Sequence, residues 1–151
     1  MLRKQISVSL QEALKAKNQT KTSTLRLILA ALKDRDIAER SKGNDSGLND
    51  DAILKLLQSM IKQRKESIEF YEKGNRLELA DKEKEEINHI KNFLPKQLSE
   101  NEVKTIIKST ISELGAKDVR DMGKVMSFLR EKYSGQMDLS IAGKLLKEHL
   151  V

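Results

Sequence analysis

Basic side chains are the residues of this 151-residue chain best suited to bind another molecule, and they cluster near its start. Residues 1–33 contain seven lysines and arginines but a single acidic residue, Glu12, so they hold the whole net charge of +6. Arg26, Lys33 and Arg40 follow one another at intervals of seven residues, which places them on one flank of a helix. Such a cluster favours a polyanionic partner, because lysine and arginine bind phosphates with release of counterions. A solvated face that only maintains solubility is the alternative.

Four further lysines are candidates for the same phosphate-binding surface. Lys62 and Lys65 belong to a later helical stretch. Lys124 and Lys144 occupy equivalent places in two copies of the pattern G-x-x-D-φ-x-x-φ-G-K-φ-φ, in which φ is an apolar residue. The candidate RNA-binding residues are Arg26, Lys33, Arg40, Lys62, Lys65, Lys124 and Lys144.

Two charged residues fall inside apolar helical stripes. Arg64 lies close to Ile61 and Ile68 on a helical wheel, and Glu83 lies near the middle of the next stripe. A buried arginine requires a carboxylate partner. The sequence therefore predicts an Arg64–Glu83 bridge between two antiparallel helices, with Glu86 as the alternative partner. We interpret this pair as structural, setting the register of the two helices, rather than as catalytic.

Several kinds of active site lack the residues they need. The chain has no cysteine, which excludes thiol catalysis, a thiolate metal site and a disulfide scaffold. Its two histidines, His89 and His149, lie sixty residues apart without a metal-ligand partner at a suitable spacing, and we assign them to the core or the surface edge. Phosphate-loop and nucleophile-elbow patterns are absent. We predict no catalytic residue, no cofactor and no metal.

The cellular location is inferred from the same composition. No apolar run approaches the ~20 residues of a membrane span. The amino terminus lacks the apolar core of a signal peptide. The absence of cysteine fits a reducing compartment. We expect a cytoplasmic protein with no membrane partner.

Apolar residues repeat with helical spacing along most of the chain and predict an all-α fold. Four amphipathic helices precede Pro95, the only proline, and suggest a helical bundle or paired hairpins. A loop at 41–47 follows the second helix, Asn49 can cap the third, and Gly74-Asn75 supplies a left-handed stop before the fourth. The break at Pro95 divides the chain into subdomains of residues 1–94 and 95–151.

Three helices are predicted after Pro95. Ser99 and Glu102 have the spacing of a capping box at the start of the first helix. In each copy of the repeated pattern, the first glycine can end a segment and the aspartate can cap the next helix. The second glycine, Gly123 or Gly143, would allow a close approach of helices.

Four segments of the chain carry a family resemblance. They are STLRLILAALKDRDI (23–37), KQRKESIEFYEKGNRLELADKEKEEI (62–87), LPKQLSENEV (94–103) and RDMGKVM (120–126). In this order they resemble the GatB/YqeY family, in particular its free-standing YqeY-like proteins. One turn differs from the family pattern, because family members commonly have the sequence G-R-A-D-G before the last helix. Here Gln136 and Leu139 replace the arginine and the second glycine, which weakens a phosphate-binding role for this turn.

The resemblance implies a second subdomain similar to the tail of the B subunit of tRNA-dependent amidotransferase. That enzyme converts glutamate or aspartate mischarged on tRNA into the amide; its tail contacts tRNA, and its chemistry occurs on other domains. We therefore expect an accessory protein without an active site of its own. Its expected partners are tRNA or another structured RNA, and an amidotransferase or aminoacyl-tRNA synthetase.

Two other functions remain open from the sequence. A protein–protein adaptor would need an exposed apolar patch, for which Phe70-Tyr71 and Phe128 are candidates, although we expect the five aromatic residues mostly at core-facing positions. An independent amidase or ligase would need a nucleophile–base set or a metal site, and the sequence shows neither.

Overall fold

The fold of the chain is all-α, as predicted. The structure is a computed structural model and describes residues 1–150. In this range there are seven α-helices, one short 3₁₀ turn and no strand. The helices are α1 (Leu2–Lys15), α2 (Gln19–Ser41), α3 (Asp50–Lys73), α4 (Leu77–Lys91), α5 (Glu100–Leu114), α6 (Met122–Lys132) and α7 (Leu139–Leu150), and the 3₁₀ turn is Val119–Asp121.

The first of two compact units ends at Leu94. Within it α1 packs against α2, while α2 and α3 both pack against α4. The apolar stripes of the four helices meet in one core, because each helix buries one face and leaves its charged face in water. The largest fully buried side chains of this core are Ile6, Leu25, Ile28, Ile53, Leu57 and Ile90.

The helices of this unit begin and end at polar or left-handed residues. Asn49 caps α3, as predicted, by accepting the backbone N–H of Ala52 at 2.9 Å. Between α3 and α4 the left-handed residue is Asn75, with φ of 57°, whereas Gly74 has φ of −85°. The predicted stop at Gly74-Asn75 is therefore confirmed, and Asn75 is its left-handed residue, a type whose short polar side chain tolerates this conformation.

The turn between α1 and α2 contains a residue type that is unusual at its position. The backbone N–H groups of Lys17 and Asn18 bond to the carbonyls of Leu14 and Ala13 at 3.2 and 3.0 Å, which closes α1. This arrangement puts Lys17 in the left-handed region, with φ of 56°. Glycine is the usual residue at such a position, and another residue costs roughly 1–2 kcal/mol there.

The second unit starts at Pro95 and contains the three predicted helices. Both α5 and α6 pack against α7, around a core that includes Ile107 and Leu129. Ser99 caps α5 by accepting the N–H of Glu102 at 3.2 Å. The segment before α5 is also fixed, because the Gln97 side chain donates to the carbonyl of Gly135 at 2.6 Å.

The repeated pattern of the tail has its predicted turns but not its predicted close packing. Gly115 and Gly135 both adopt positive φ, and Asp118 caps the 3₁₀ turn. The prediction for the second glycines is wrong. A methyl group added at Gly123 would meet no atom within 4 Å, and one at Gly143 would make only ordinary contact with Met126.

Candidate nucleic-acid interface

The basic flank of α2 is the best-formed candidate interface of the chain. Arg26, Lys33 and Arg40 all lie on α2 and are exposed. Fourteen helical residues place the outer two about 21 Å apart along the axis and within about 40° of each other around it. No carboxylate of residues 1–150 forms an ion pair with Arg26 or Lys33 in this structure. Both cations are therefore available to an external anion.

The acidic residue of α2 nearest to this flank is already neutralised. Asp36 accepts two hydrogen bonds from the Arg3 guanidinium of α1 and one, at 2.9 Å, from the Leu48 N–H. Arg3 also donates to the Leu48 carbonyl at 2.9 Å. The hydrogen bonds from Arg3 hold the pKa of the Asp36 carboxyl below its usual value, against the opposing effect of burial. Arg40 lowers this pKa as well, so Asp36 interacts with one cation of the flank, while its hydrogen bonds go to Arg3 and Leu48.

Gly47 makes this three-way contact possible. Its φ is 78°, and a methyl group there would lie 2.5 Å from Asp36 Oδ1 and 2.9 Å from Arg3 Nη2. Sequence reasoning missed this cluster, because Arg3, Asp36 and Gly47 are far apart in the chain and belong to no motif. The available signal is the predicted loop at 41–47, because a glycine at its end can mark a close approach of the backbone to another element.

Lys62 and Lys65 lie on a different helix from this flank. Both are exposed on α3. That they extend the basic surface of α2 stays a prediction.

The two lysines of the tail are exposed in the second unit. Lys124 Nζ lies 3.4 Å from the Leu114 carbonyl, at the carboxyl end of α5. A cation at this place stabilises the helix end by interacting with its dipole. Lys144 is exposed on α7. Lys124 thus has a structural contact, whereas no contact is described for Lys144.

The buried ion pair of the first unit has its partners in a different order from the prediction. Arg64 Nε donates to Glu86 Oε2 at 2.9 Å, and Glu83 Oε2 lies 4.0 Å away. Glu86, the expected alternative, is the direct partner, because the packing of α3 on α4 places it closer to Arg64 than Glu83. The Arg64 and Glu86 side chains are only 13 % and 10 % exposed. The pair joins α3 to α4 as a structural contact.

Glu83 occupies a less favourable position in this cluster. Burial raises the pKa of its carboxyl, and the neighbouring charge of Glu86 raises it further, while Arg64 lowers it. One guanidinium therefore faces two carboxylates in a half-buried site. Arg64 also lines the cleft between α2 and α3, whereas neither Glu83 nor Glu86 belongs to the lining of that cleft.

The histidines are separated in the structure as they are in the sequence. His89 is mostly buried, and its Nε2 makes no hydrogen bond with residues 1–150; the Glu85 carboxylate is 3.8 Å away. His149 is exposed. Within the described residues, no group of three or more histidine, aspartate or glutamate side chains is arranged to hold a metal ion. No described helix combines the length and apolar character needed to cross a membrane.

The aromatic residues are more exposed than we predicted. Phe70 is 75 % exposed, and none of the five aromatic side chains is fully buried. Lys132 Nζ lies 5.4 Å from the centre of the Phe128 ring and 5.7 Å from that of Tyr133, within the range of a cation–π contact. The expectation of core-facing aromatics is thus wrong for Phe70.

Relatives with known names match much of the chain. One from Lachancea thermotolerans, called altered inheritance of mitochondria protein 41, mitochondrial, is 34 % identical over 70 % of this chain and 55 % of its own length. Proteins of the same name from Vanderwaltozyma polyspora (30 % identical, 72 % of this chain, 58 % of the relative) and Pyrenophora tritici-repentis (26 %, 95 % and 77 %) also match. The chain spans little more than half the length of the first two.

These names bear on the expected location. The relatives are named as mitochondrial proteins, which contradicts the cytoplasmic location inferred from the sequence. The inference failed because it rested on the absence of cysteine and of apolar segments, and neither feature distinguishes the cytoplasm from another reducing compartment.

The family resemblance is confirmed over nearly the whole chain. The family described as Yqey-like protein matches residues 3–150, which include all seven helices almost completely. The chain therefore belongs to the family of YqeY-like proteins.

Proposed function

We propose that this YqeY-like protein binds tRNA or another structured RNA through the cationic flank of α2 and acts as an accessory factor without an active site. The observation that carries the proposal is the row of Arg26, Lys33 and Arg40, exposed along one flank, beside a carboxylate that Arg3 already neutralises. Exposed cations such as Arg26 and Lys33, which form no ion pair within residues 1–150, gain from contact with phosphates, because each contact releases a bound counterion.

The surrounding sequence adds charge of the same sign. The α1–α2 hairpin and its turn hold the seven basic residues of positions 1–33, with Glu12 as the only acidic residue in that range. α1 packs against α2, so these charges lie on two adjacent helices. The resulting potential attracts a polyanion before contact is made and raises its rate of association.

The chemistry of the flank favours structured over single-stranded RNA. Single strands are bound mostly by stacking bases on aromatic side chains. The three cations of α2 have no aromatic residue on their helix, since the aromatics of the first unit lie on α3 and just after α4. Double-helical RNA is instead recognised by its shape and its backbone, for which a rigid row of cations about 21 Å long is suited.

An amidotransferase or an aminoacyl-tRNA synthetase is the proposed protein partner. The support is the resemblance of the tail to that of the amidotransferase B subunit, whose own reactions occur on other domains. Lys124 and Lys144 are the proposed tail contacts, although Gln136 and Leu139 differ from the family turn. The reaction would belong to the partner enzyme, and this chain would contribute RNA binding.

The proposal is tested by measuring the affinity of a fluorescent tRNA transcript for the purified chain. We expect Arg26→Glu/Lys33→Glu to weaken binding by at least about tenfold, or about 1.4 kcal/mol. For the unchanged chain, three phosphate contacts predict a roughly 20- to 40-fold loss of affinity between about 50 and 200 mM salt.

The matched control is Lys62→Glu/Lys65→Glu, which changes the net charge equally at two exposed lysines of another helix, α3, in the same unit. This variant is expected to bind within about threefold of the unchanged chain. Equal losses in the two double variants would show that only overall charge matters. That result, or an affinity independent of salt, would overturn the proposal.

A further inference from the structure

A shallow groove with an apolar floor lies at the corner between α1 and α2. Its volume is about 630 Å³. Leu14 and Leu27, the largest aliphatic side chains in it, remain 47 % and 46 % exposed. The groove is lined by Leu14, Lys17, Gln19, Thr22, Ser23, Arg26 and Leu27. A concave surface with half-exposed aliphatic side chains is typical of a site that a partner covers.

Leu27 is the aliphatic residue that this groove shares with a second depression. It also lines the cleft between α2 and α3, of about 320 Å³, most of whose lining residues are polar or charged. Ala31, one helical turn further along α2, packs against the core of the unit, whereas Leu27 does not and stays 46 % exposed. Leu27 is thus an aliphatic side chain of α2 that the core leaves largely uncovered.

The charges of the groove indicate what covers it. Lys17 and Arg26 are the charged residues among its lining, and no carboxylate belongs to that lining. Acidic groups on a partner would therefore be attracted to the rim. A second copy of this chain would instead bring like charges together, which disfavours self-association through this surface.

The lining also discriminates between a peptide and a nucleic acid. It contains no aromatic residue on which a base could stack. Leu14 and Leu27 offer no hydrogen bonds to phosphate or sugar, but they complement the aliphatic side chains of an amphipathic helix. The groove therefore fits a protein segment better than RNA, even though Arg26 lies next to both surfaces.

Lys17 supports a functional role for the rim. It occupies the left-handed position that closes α1, where glycine would be free of strain. A strained residue at the edge of a surface depression suggests that its side chain has a role other than folding. In this structure that side chain is one of the two cations lining the groove.

We infer that the groove between α1 and α2 binds an acidic amphipathic helix of a partner protein. Aliphatic residues of that helix contact Leu14 and Leu27, and its flanking carboxylates face Lys17 and Arg26. Binding of an amphipathic helix in a hydrophobic groove, with anchors spaced by three or four residues, is a common mode of recognition. This inference does not depend on the proposed RNA binding, although Arg26 would take part in both interactions.

The test uses synthetic helical peptides of defined chemistry and the intact chain. The probe is a fluorescent peptide of about 16 residues with leucines at i, i+4 and i+7, the spacing of helix-in-groove anchors, and glutamates on the flanks. One control peptide replaces each glutamate by lysine, and another replaces each leucine by serine. We expect the acidic peptide to bind at least about tenfold more tightly than either control, with NMR shifts at Leu14 and Leu27.

Surface variants locate the binding without disturbing the core. Leu27→Gln is expected to weaken peptide binding at least about fivefold. Its matched control is Ile37→Gln, because Ile37 is also on α2 and 51 % exposed but lines neither cavity. Lys17→Gly is expected to weaken peptide binding while preserving or raising the melting temperature, since it relieves the left-handed strain.

Each remaining outcome overturns the inference. These outcomes are no binding of the acidic peptide, equal binding of acidic and basic peptides, equal effects of Leu27→Gln and Ile37→Gln, and NMR shifts of Leu14 and Leu27 caused by tRNA instead of the peptide.

Lys33→Glu separates the two functions, because it should weaken tRNA binding and leave peptide binding unchanged. Leu27→Gln should weaken peptide binding and leave tRNA binding unchanged. The two proposals can therefore be refuted independently of each other.

Discussion

The two units of this protein differ in the polar contacts that stabilise each of them. In residues 1–94 the contacts join elements far apart in the chain, as in Arg3 with Asp36 and Arg64 with Glu86. In the second unit many polar contacts are local, such as the cap at Ser99 and the capping box of the 3₁₀ turn. Gln97 is a long-range exception, but it is uncharged.

This difference has a physical consequence for stability. A half-buried ion pair is sensitive to the loss of one partner, because the remaining charge is left without compensation. A local helix cap contributes about 1 kcal/mol to stability, and when it is removed, water can bind the backbone N–H groups that it satisfied. We therefore expect the first unit to respond more strongly than the second to substitution of polar residues and to pH.

The largest effect is expected from Arg64→Met. This change leaves Glu86 and Glu83 facing each other in a half-buried site, and it should lower the free energy of unfolding by about 3 kcal/mol. Urea denaturation at pH 7 measures the loss. The matched variant Arg64→Met/Glu83→Gln/Glu86→Gln removes the unpaired charges and should recover most of the stability. If the triple variant were as unstable as the single one, the charge-based explanation would be wrong.

Gly47→Ala should have the next largest effect. The substitution combines a left-handed backbone with a methyl group placed against the Asp36–Arg3 pair, so we expect a loss of about 2 kcal/mol or more. Gly43→Ala is the control, since Gly43 also has positive φ but has open space around it, and should lose only about 1 kcal/mol. Thermal unfolding of both variants compares them; equal shifts would remove the role assigned to Gly47.

A smaller, pH-dependent effect is expected from Glu83→Gln. Because burial raises the pKa of Glu83 in the folded state, its ionisation opposes folding above that pKa. The variant should therefore be more stable than the unchanged chain at pH 7, on the scale of 1 kcal/mol or less, and the difference should disappear below about pH 4.

Asp36→Asn is expected to change the stability at pH 7 in the opposite direction. The pKa of Asp36 is lowered in the folded state, so its contribution is present above the usual value and is lost as the pH falls through the folded value. This variant should therefore be less stable than the unchanged chain at pH 7 and equal to it in strong acid. Urea denaturation at several pH values measures both variants, and shifts of the same sign would contradict the two assignments.

The smallest effect is expected in the second unit, from Gly123→Ala. Gly123 is helical and an added methyl group would meet no neighbour, so the change should raise stability by about 0.5 kcal/mol. Gly115→Ala is its counterpart at a left-handed helix end and should lower stability. If Gly123→Ala lowered the stability instead, that result would support the close approach of helices predicted from the sequence pattern.

The helices could be predicted from the sequence because apolar residues at helical spacing indicate directly which face of each helix is buried. Ile6, Ile28, Leu57 and Ile107 all belong to periodic apolar runs, and all are fully buried. Helix ends were predictable where one polar residue decides them, as at Asn49. The stop after α3 could be assigned to Gly74-Asn75 but not to one of the two residues, because glycine and asparagine can both adopt left-handed geometry.

The site was only partly predictable, because spacing along one helix does not show what lies across from it. Arg64 was correctly assigned to a half-buried position, yet Glu83 and Glu86 differ by less than a turn and only the packing of α3 on α4 selects between them. The Arg3–Asp36 contact joins residues 33 positions apart. The exposure of Phe70 likewise follows from its position on α3 relative to neighbours in space.

The loop between α2 and α3 offers a practical opportunity for protein engineering. Its end is fixed, since Gly47 and Leu48 contact Asp36, but Gly43 has open space around it. Extra residues are tolerated best at exposed tips where the backbone is not required elsewhere. An epitope or a reporter dye introduced near Gly43 would thus leave the four-helix unit intact, whereas the same insertion four residues later would disturb the contacts of Asp36 with Arg3 and Leu48.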